Sequence, residues 1–225
     1  MLTYILSILA GLAVGALINL YIGKMPREKP LFKLQPPLIM ALTAGMAFAS
    51  FYAFSSSYVS ATLVFIFCSI LIAVTFIDLE FKIIPDKITL PGIIIGLALG
   101  VTSEFFYRLP LPFTQGIMQW NYNSILGLLL GVGLPLLFVY LYYLLTKKVG
   151  FGMGDIKLLG LLGAWFGCEV ILPVFFFSSV LGSICGITYI LATKKDRRTE
   201  IPFGPYLAIG AILYIFLYIF SATNP

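Results

Sequence analysis

The sequence contains no histidine and only three cysteines, and both shortages exclude whole classes of function. Without histidine there is no Ser-His-Asp or Cys-His nucleophile, no HExxH metalloprotease site and no histidine-ligated haem or zinc. The cysteines, Cys68, Cys168 and Cys185, stand far apart in apolar stretches, and none belongs to a CxxC pair. We therefore interpret them as small apolar residues, and we expect neither a metal nor a cofactor.

Charged side chains are also scarce. Only 10% of the 225 residues are charged, while 60% are hydrophobic. Soluble domains carry about 25% charged residues. Fourteen basic and nine acidic side chains cannot cover a water-facing surface on so apolar a chain. The composition predicts one transmembrane domain over residues 1–225, in contact with lipid, with no soluble domain and no nucleic-acid partner.

Apolar runs recur along the whole chain and predict an all-α bundle of about eight membrane-spanning helices, since about 20 helical residues cross a bilayer core. The runs are Leu2 to Gly23, Leu38 to Ser55, Val59 to Ile77, Ile88 to Ser103, Tyr122 to Leu145, Ile156 to Gly167, Val170 to Thr193 and Phe203 to Ala222. The sixth is short. Either its helix starts inside the membrane boundary, or segments six and seven form one badly divided stretch.

The basic residues decide between these two interpretations. With eight spans and the amino terminus outside, all but one of the fourteen basic residues lie in inner loops, as the positive-inside rule expects. Merging segments six and seven would put the cluster from Lys194 to Arg198 on the opposite side from Lys147 and Lys148. We therefore predict eight spans with both termini outside. The inner residues are Lys24, Arg27, Lys29, Lys33, Lys82, Lys87, Lys147, Lys148, Lys157, Lys194, Lys195, Arg197 and Arg198.

The acidic residues near span ends differ in how easily they are explained. Asp86 follows Pro85 and precedes an apolar run, so it is predicted to be the N-cap of the fourth helix. Asp78 closes the run from Val59 to Ile77, at the C-terminal end of a helix, where the negative end of the macrodipole disfavours an anion. A charged group at membrane depth marks function by default, so Asp78 is a candidate functional residue.

Asp155 ends the segment Phe151-Gly152-Met153-Gly154-Asp155 and precedes an apolar helix. Taken alone, it fits a turn with an N-cap aspartate as well as it fits a functional site. In the predicted topology, however, span three ends at Asp78 and span six begins at Asp155, so both carboxylates lie at the cytoplasmic face. Two close carboxylates share one proton: one activates water while the other polarises a carbonyl. We therefore predict an aspartyl dyad, with glycines that let an extended substrate approach the backbone.

Three blocks of sequence follow one another on spans three, six and eight. They are Ile77-Asp78 with Ile84-Pro85-Asp86 and Thr89-Leu90-Pro91, then Gly152-Met153-Gly154-Asp155-Ile156-Lys157-Leu158, then Ile201-Pro202-Phe203-Gly204-Pro205-Tyr206. Together they resemble the type IV prepilin peptidases, which belong with the preflagellin peptidases and presenilin to the GxGD class of membrane aspartyl proteases. The resemblance covers most of the chain from Val59 onward. The first span, with Gly15, Leu17 and Asn19, is similar in a looser way.

The resemblance implies cleavage of the short basic leader of type IV prepilin or pseudopilin proteins at the cytoplasmic face of the bacterial inner membrane. Asp78 and Asp155 match the catalytic aspartates of the family, and Asp86 does not. The turn from Pro202 to Pro205 also fits a plain helix start with proline at its first position. The other matches, at substrate-binding or motif positions, are Gly152, Gly154, Lys157, Pro202, Gly204 and Pro205.

One departure concerns the loop between spans one and two. Many bacterial members of this family carry an insert there with CxxC zinc pairs, which accompanies N-methylation of the new amino terminus. Here the predicted cytoplasmic loop is only residues 24–37 and has no cysteine, so it offers no thiolate or imidazole ligand for a structural zinc. We therefore expect a peptidase without methyltransferase activity.

Two other functions are compatible with the same residues. In a small membrane transporter, Asp78 and Asp155 would form a proton or ion relay, although both lie at one face and no inverted repeat is visible. A presenilin-like intramembrane protease with other substrates would share the GxGD segment. It would not account for the block Ile-Pro-Phe-Gly-Pro-Tyr.

Overall fold

The computed structural model describes residues 1–25, 35–55, 57–105, 120–147, 152–193 and 202–223. Within these ranges the chain forms eight α-helices, one short 3₁₀ helix and no strand, which confirms the all-α prediction. The helices are α1 (Leu2–Gly23), α2 (Gln35–Ala53), α3 (Tyr58–Phe81), α4 (Asp86–Phe105), α5 (Trp120–Thr146), α6 (Met153–Phe166), α7 (Ile171–Thr193) and α8 (Gly204–Thr223).

Each predicted apolar segment corresponds to one of these helices, and α1 has the predicted bounds. Among the described residues, α1, α2, α3, most of α5 and α7 are long and apolar enough to cross a membrane, and α8 contributes a shorter apolar stretch, Gly204–Leu217. The chain is thus a multi-pass membrane protein. The number of crossings and the outside location of the termini stay predictions.

A glycine separates α6 from α7. Gly167 follows the last residue of α6 and has φ of 82° and ψ of −173°. Residues with a side chain rarely adopt this backbone conformation. Its N–H donates to the carbonyl of Gly163, and the 3₁₀ helix Cys168–Val170 follows before α7 begins. Segments six and seven are therefore two helices, as the distribution of basic residues had indicated.

The helices belong to two compact units, of which the first contains α1, α2 and α3. In this unit α1 packs closely on α2 through Gly11 and Gly15. A Cβ atom on Gly11 would lie 2.6 Å from Cα of Ala44, and one on Gly15 would lie 2.7 Å from Cα of Met40. Small residues four apart let two backbones approach in this way, which matters in lipid because apolar side chains gain little by leaving it. The Asn19 amide also donates to the carbonyl of Pro36, at the start of α2.

The second unit contains α4 to α8 and repeats the same packing device. Gly127 on α5 and Gly163 on α6 bring the two backbones together: a Cβ atom on either would collide with the other's carbonyl. Gly131 on α5 likewise contacts α6 at Leu159 and Gly160. This spacing of four residues makes α5 and α6 a closely packed pair.

The helix α4 packs on α6 through Gly92 and Gly96. A Cβ atom on Gly92 would lie 2.7 Å from Cδ1 of Leu161, and one on Gly96 would collide with the ring of Trp165. The Trp165 indole N–H donates to the carbonyl of Gly92 at 2.8 Å, so its polar atom is satisfied inside the bundle. These contacts hold α6, the helix that begins with the GxGD segment, against two neighbours.

Candidate active site

Asp78 lies in the last turn of α3, and the residue is only 5% exposed. Its backbone carbonyl accepts the N–H of Lys82 at 2.9 Å, and the helix ends there because Lys82 adopts a left-handed conformation with φ of 55°. The prediction that Asp78 stands at the C-terminal end of a helix is confirmed. The helix α3 is also the most buried of the long apolar ones, with 72% of its most apolar 18-residue stretch buried.

A second acidic residue of the same turn, Glu80, contacts a glutamine that is not among the residues predicted for the site. The amide nitrogen of Gln35, the first residue of α2, donates to Oε2 of Glu80 at 3.1 Å. Gln35 is 3% exposed, and its Oε1 has no hydrogen-bond partner among the described residues. In the sequence, Gln35 stands beside Pro36 and Pro37 at the edge of a loop, and nothing there indicated its burial.

Asp155 is the third residue of α6, which begins at Met153 with Gly152 as its N-cap in an extended conformation. The alternative interpretation of Asp155 as an N-cap is therefore wrong, because the helix starts two residues earlier. Its Oδ2 lies 2.9 Å from the point where a Cβ atom on Gly152 would stand. The carboxylate thus folds back over the N-cap residue, at the end of the helix where the macrodipole favours negative charge.

Gly154 contacts the segment before α4. A Cβ atom on Gly154 would lie 2.9 Å from Cβ of Ile84, which is buried. The sequence predicted that this glycine gives room for a substrate. The structure shows that the absence of its side chain gives room for Ile84.

Asp86 and Lys157 form an ion pair. The Lys157 ammonium donates to Oδ1 of Asp86 at 2.6 Å, with the side chains 33% and 55% exposed, respectively. The prediction of Asp86 as the N-cap of the fourth helix is wrong by one position: α4 begins at Asp86 itself, and the carbonyl of Pro85 accepts the N–H of Thr89. Two of the sequence blocks, Ile-Pro-Asp and GxGD-Ile-Lys, therefore contact each other at two points.

The third block starts α8. Gly204 is the first residue of the helix and Pro205 the second, and the carbonyl of Phe203 accepts the N–H of Leu207. Proline was predicted at the first helical position and stands one residue later, where a missing N–H still costs nothing because first-turn N–H groups have no intrahelical partner. Gly204 and Pro205 are buried, and Pro202 is partly exposed. The ring of Phe203 packs near Gly182 of α7.

Among the described residues, no group of three or more Cys, Asp or Glu side chains is close enough to hold a metal ion. The chemistry available at these positions is that of carboxyl groups: Asp78 at the carbonyl end of one helix and Asp155 at the N–H end of another.

Comparison with known proteins identifies a family match that spans these positions. The family model described as "Type IV leader peptidase family" matches residues 65–187, which include both aspartates. Three similar proteins are each named "Prepilin leader peptidase/N-methyltransferase". The protein of Xanthomonas campestris pv. campestris is 35% identical over 188 residues, 84% of this chain and 60% of the relative. The protein of Pseudomonas putida is 41% identical over 62% of this chain and 44% of its own length. The protein of Legionella pneumophila is 37% identical over 65% of this chain and 47% of its own length.

The chain matches only part of each of these relatives, between 44% and 60% of their length. No solved structure matches it. The family model nevertheless covers more than half of the chain, from the middle of α3 into α7. On this basis the chain belongs to the type IV leader peptidase family.

Proposed function

We propose that this protein is a membrane aspartyl endopeptidase that removes the basic leader peptide of type IV prepilins or pseudopilins. The observation that carries the proposal is the GxGD segment at the start of α6, with Asp155 in the first turn of the helix and inside the region matched by the family model. Asp78, buried in the last turn of α3, is the second catalytic aspartate.

The proposed reaction is hydrolysis of one peptide bond by two carboxyl groups and a water molecule. The ionised aspartate takes a proton from water, whose oxygen attacks the scissile carbonyl while the protonated aspartate donates a hydrogen bond to the carbonyl oxygen. The tetrahedral intermediate collapses when the aspartate that took the proton from water gives it to the leaving nitrogen and the C–N bond breaks, which returns both carboxyl groups to their starting states. Neither step needs a metal or an organic cofactor, because both the base and the acid are carboxyl groups.

The two helix ends favour different roles for the two aspartates. The carbonyl end of α3 disfavours a negative charge at Asp78, and the N–H end of α6 favours one at Asp155. We therefore assign the initial base to Asp155 and the initial acid to Asp78. In the proposed mechanism the two carboxyl groups share one proton, and this assignment describes where that proton stands before the reaction.

The proposed location of the site is the cytoplasmic face of the bacterial inner membrane. The support comes from charge: Lys82 follows Asp78 and Lys157 follows Asp155, and both belong to the basic set that the positive-inside rule places inside. A prepilin presents its basic leader on that side, ahead of the hydrophobic helix that enters the membrane. Attraction of Lys and Arg to anionic lipid further favours this orientation.

We propose that Glu80 contacts a basic residue of the leader. It stands two residues after Asp78, and the buried Gln35 amide fixes one of its oxygens. Two other acidic residues, Glu28 and Glu200, stand among Lys and Arg in the sequence and lie outside the described residues. A carboxylate held in place loses less conformational entropy when a cation binds it, which favours recognition.

The methyltransferase activity named in the relatives is not part of the proposal. The stretch between α1 and α2 has no cysteine, and most of it, residues 26–34, lies outside the described ranges. We propose that this chain cleaves the prepilin leader and that it does not methylate the new amino terminus. The finding of a methylated new amino terminus made by this chain alone would contradict that part.

The test is a cleavage assay with purified protein in lipid and a full-length prepilin. We expect mass spectrometry to show one new, unmethylated amino terminus directly after the leader. A matched prepilin with its leader Lys and Arg residues replaced by Ser should be cut more slowly. No cleavage of the wild-type prepilin by folded protein would overturn the proposed function.

A further inference from the structure

Two contacts join the first turn of α6 to the chain just before and at the start of α4. In the first, Gly154 lies against the buried Ile84, so closely that a Cβ atom would stand 2.9 Å from that of Ile84. In the second, the Lys157 ammonium donates to the Asp86 carboxylate at 2.6 Å. The four residues belong to the same compact unit.

The two contacts lie on either side of Asp155 in the chain. Residues 154 and 157 are three apart, so they are neighbours on one face of the helix. Asp155 is about 100° around the helix axis from Gly154. Attachment at two points of one face sets both the rotation of the first turn and its position along the axis, and so sets where the Asp155 side chain leaves the helix.

The body of α6 does not depend on the ion pair. Ile156, Leu158 and Leu159 are almost completely buried, and Gly160 and Gly163 pack against α5. Both charged side chains of the pair are partly exposed, and exposed ion pairs contribute little to the free energy of unfolding. Loss of the pair should therefore release the first turn of α6 while the rest of the helix stays folded.

We propose that Asp86 and Lys157 are a positioning pair, which holds the first turn of α6 so that the Asp155 carboxylate stands in its reactive position. The inference rests on the proposed peptidase function of Asp155. Lys157 was predicted as a substrate-binding or motif residue. The proposal gives it a different role, which is to hold the first turn of α6 in place. Displacement of a catalytic group by about 1 Å lowers the rate by up to about 100-fold.

The first test measures kcat and KM for prepilin cleavage. Lys157→Met and Asp86→Asn should each lower kcat by about tenfold or more, with KM within about twofold of the wild type, because the geometry of the catalytic group changes and not the binding of substrate. The double variant should be no slower than the slower single variant, since both changes remove one interaction. Lys157→Arg should keep most of the rate, and Lys87→Met, an exposed neighbour of Asp86, is the matched control. Wild-type kcat in Lys157→Met would overturn the proposal.

The second test exchanges the charges. In the variant Asp86→Lys with Lys157→Asp, the pair is restored in reverse, and we expect kcat above that of either Lys157→Met or Asp86→Asn. A Lys157 that contacts the substrate directly would give no such recovery, and that result would overturn the positioning role. If the exchanged variant does not fold, Asp86→Glu with Lys157→Arg, which keeps the signs of both charges, is measured against the same two single variants.

The third test does not depend on activity. Hydrogen exchange of the peptide 153–160, measured in lipid, should be faster in Lys157→Met and Asp86→Asn than in the wild type, and unchanged in Lys87→Met. Unchanged exchange in both pair variants would overturn the proposal whether or not the protein cuts a prepilin. Failure of the wild-type protein to cut would overturn the proposed function alone, and this measurement would then decide the role of the pair.

Discussion

The glycine before Asp155 shows how one missing side chain shapes the site. A Cβ atom on Gly152 would stand 2.9 Å from Oδ2 of Asp155, closer than such atoms approach in folded proteins. The backbone there is extended, with φ of −74° and ψ of 137°, so alanine fits the conformation without strain. The atom that must move is the far end of the carboxylate.

Gly152→Ala should therefore leave the protein folded but lower its rate of prepilin cleavage by about tenfold or more, because the Asp155 carboxylate is displaced. The measurement is kcat together with the melting temperature in lipid. Gly133→Ala is the matched control, because Gly133 has open space around it. A Gly152→Ala enzyme with wild-type kcat would contradict the position given to this carboxylate.

At this scale the sequence indicates candidate residues, and it does not predict their contacts. Asp78 and Asp155 were selected because charge is rare in the chain, so that unexplained carboxylates are easy to recognise. The pairing of Lys157 with Asp86 was not predicted, because the two residues are 71 apart and each had a plausible local role. The contact of Gln35 with Glu80 was not predicted because the two residues are 45 apart and nothing in the sequence indicated the burial of Gln35.

Single helices were predicted well in position and less well at their ends. A helix in lipid must satisfy its own backbone groups over the whole apolar length, so an apolar run marks a helix clearly. An apolar run ends at the first charged residue, whereas the helix itself continues past that residue. Thus α3 continues through Asp78 and Glu80 to Phe81, and α6 begins at Met153, ahead of Asp155 and Lys157.

The packing of α5 on α6 makes a prediction that concerns stability. Gly127→Leu should destabilise the protein by about 1–3 kcal/mol or more, because the added side chain has no space against the backbone of Gly163. Gly133→Leu, on the same helix but with nothing within 4 Å, should be close to neutral. The measurement is thermal or denaturant unfolding in lipid. Equal stability of the two variants would contradict the close contact between α5 and α6.

The composition of the whole chain predicts a multi-pass membrane protein, and the five long apolar helices found among the described residues agree with that class. The placement of thirteen basic residues on one side of the membrane stays a prediction. So does the assignment of residues 1–225 to one domain. Which helices pack together was beyond the sequence, because apolar periodicity is weak where lipid and protein interior are equally apolar. Glycines four apart, such as Gly127 and Gly131, are a signal for packing partners that could have been used.

Labelling of single cysteines tests the predicted topology. In a protein whose native cysteines are replaced by serine, Glu169→Cys should react with a membrane-impermeant maleimide in intact spheroplasts. Lys87→Cys should react only after the membrane is opened. Both side chains are exposed, so a lack of reaction does not come from burial. Labelling of Lys87→Cys in intact spheroplasts would contradict the inside location of the basic residues.

Asp78 and Asp155 are proposed to hydrolyse the prepilin leader together, and the rates of their asparagine variants test this role most directly. The measurement is the initial rate of prepilin cleavage by Asp78→Asn and Asp155→Asn in lipid, with Glu169→Gln, an exposed carboxylate in the 3₁₀ helix, as the control. Each aspartate variant should lose a factor of about 100 to 10,000 in kcat while keeping the melting temperature of the folded protein, because each loses one half of the acid–base pair. The control should keep the wild-type rate. Cleavage at the wild-type rate by both folded aspartate variants would contradict the account.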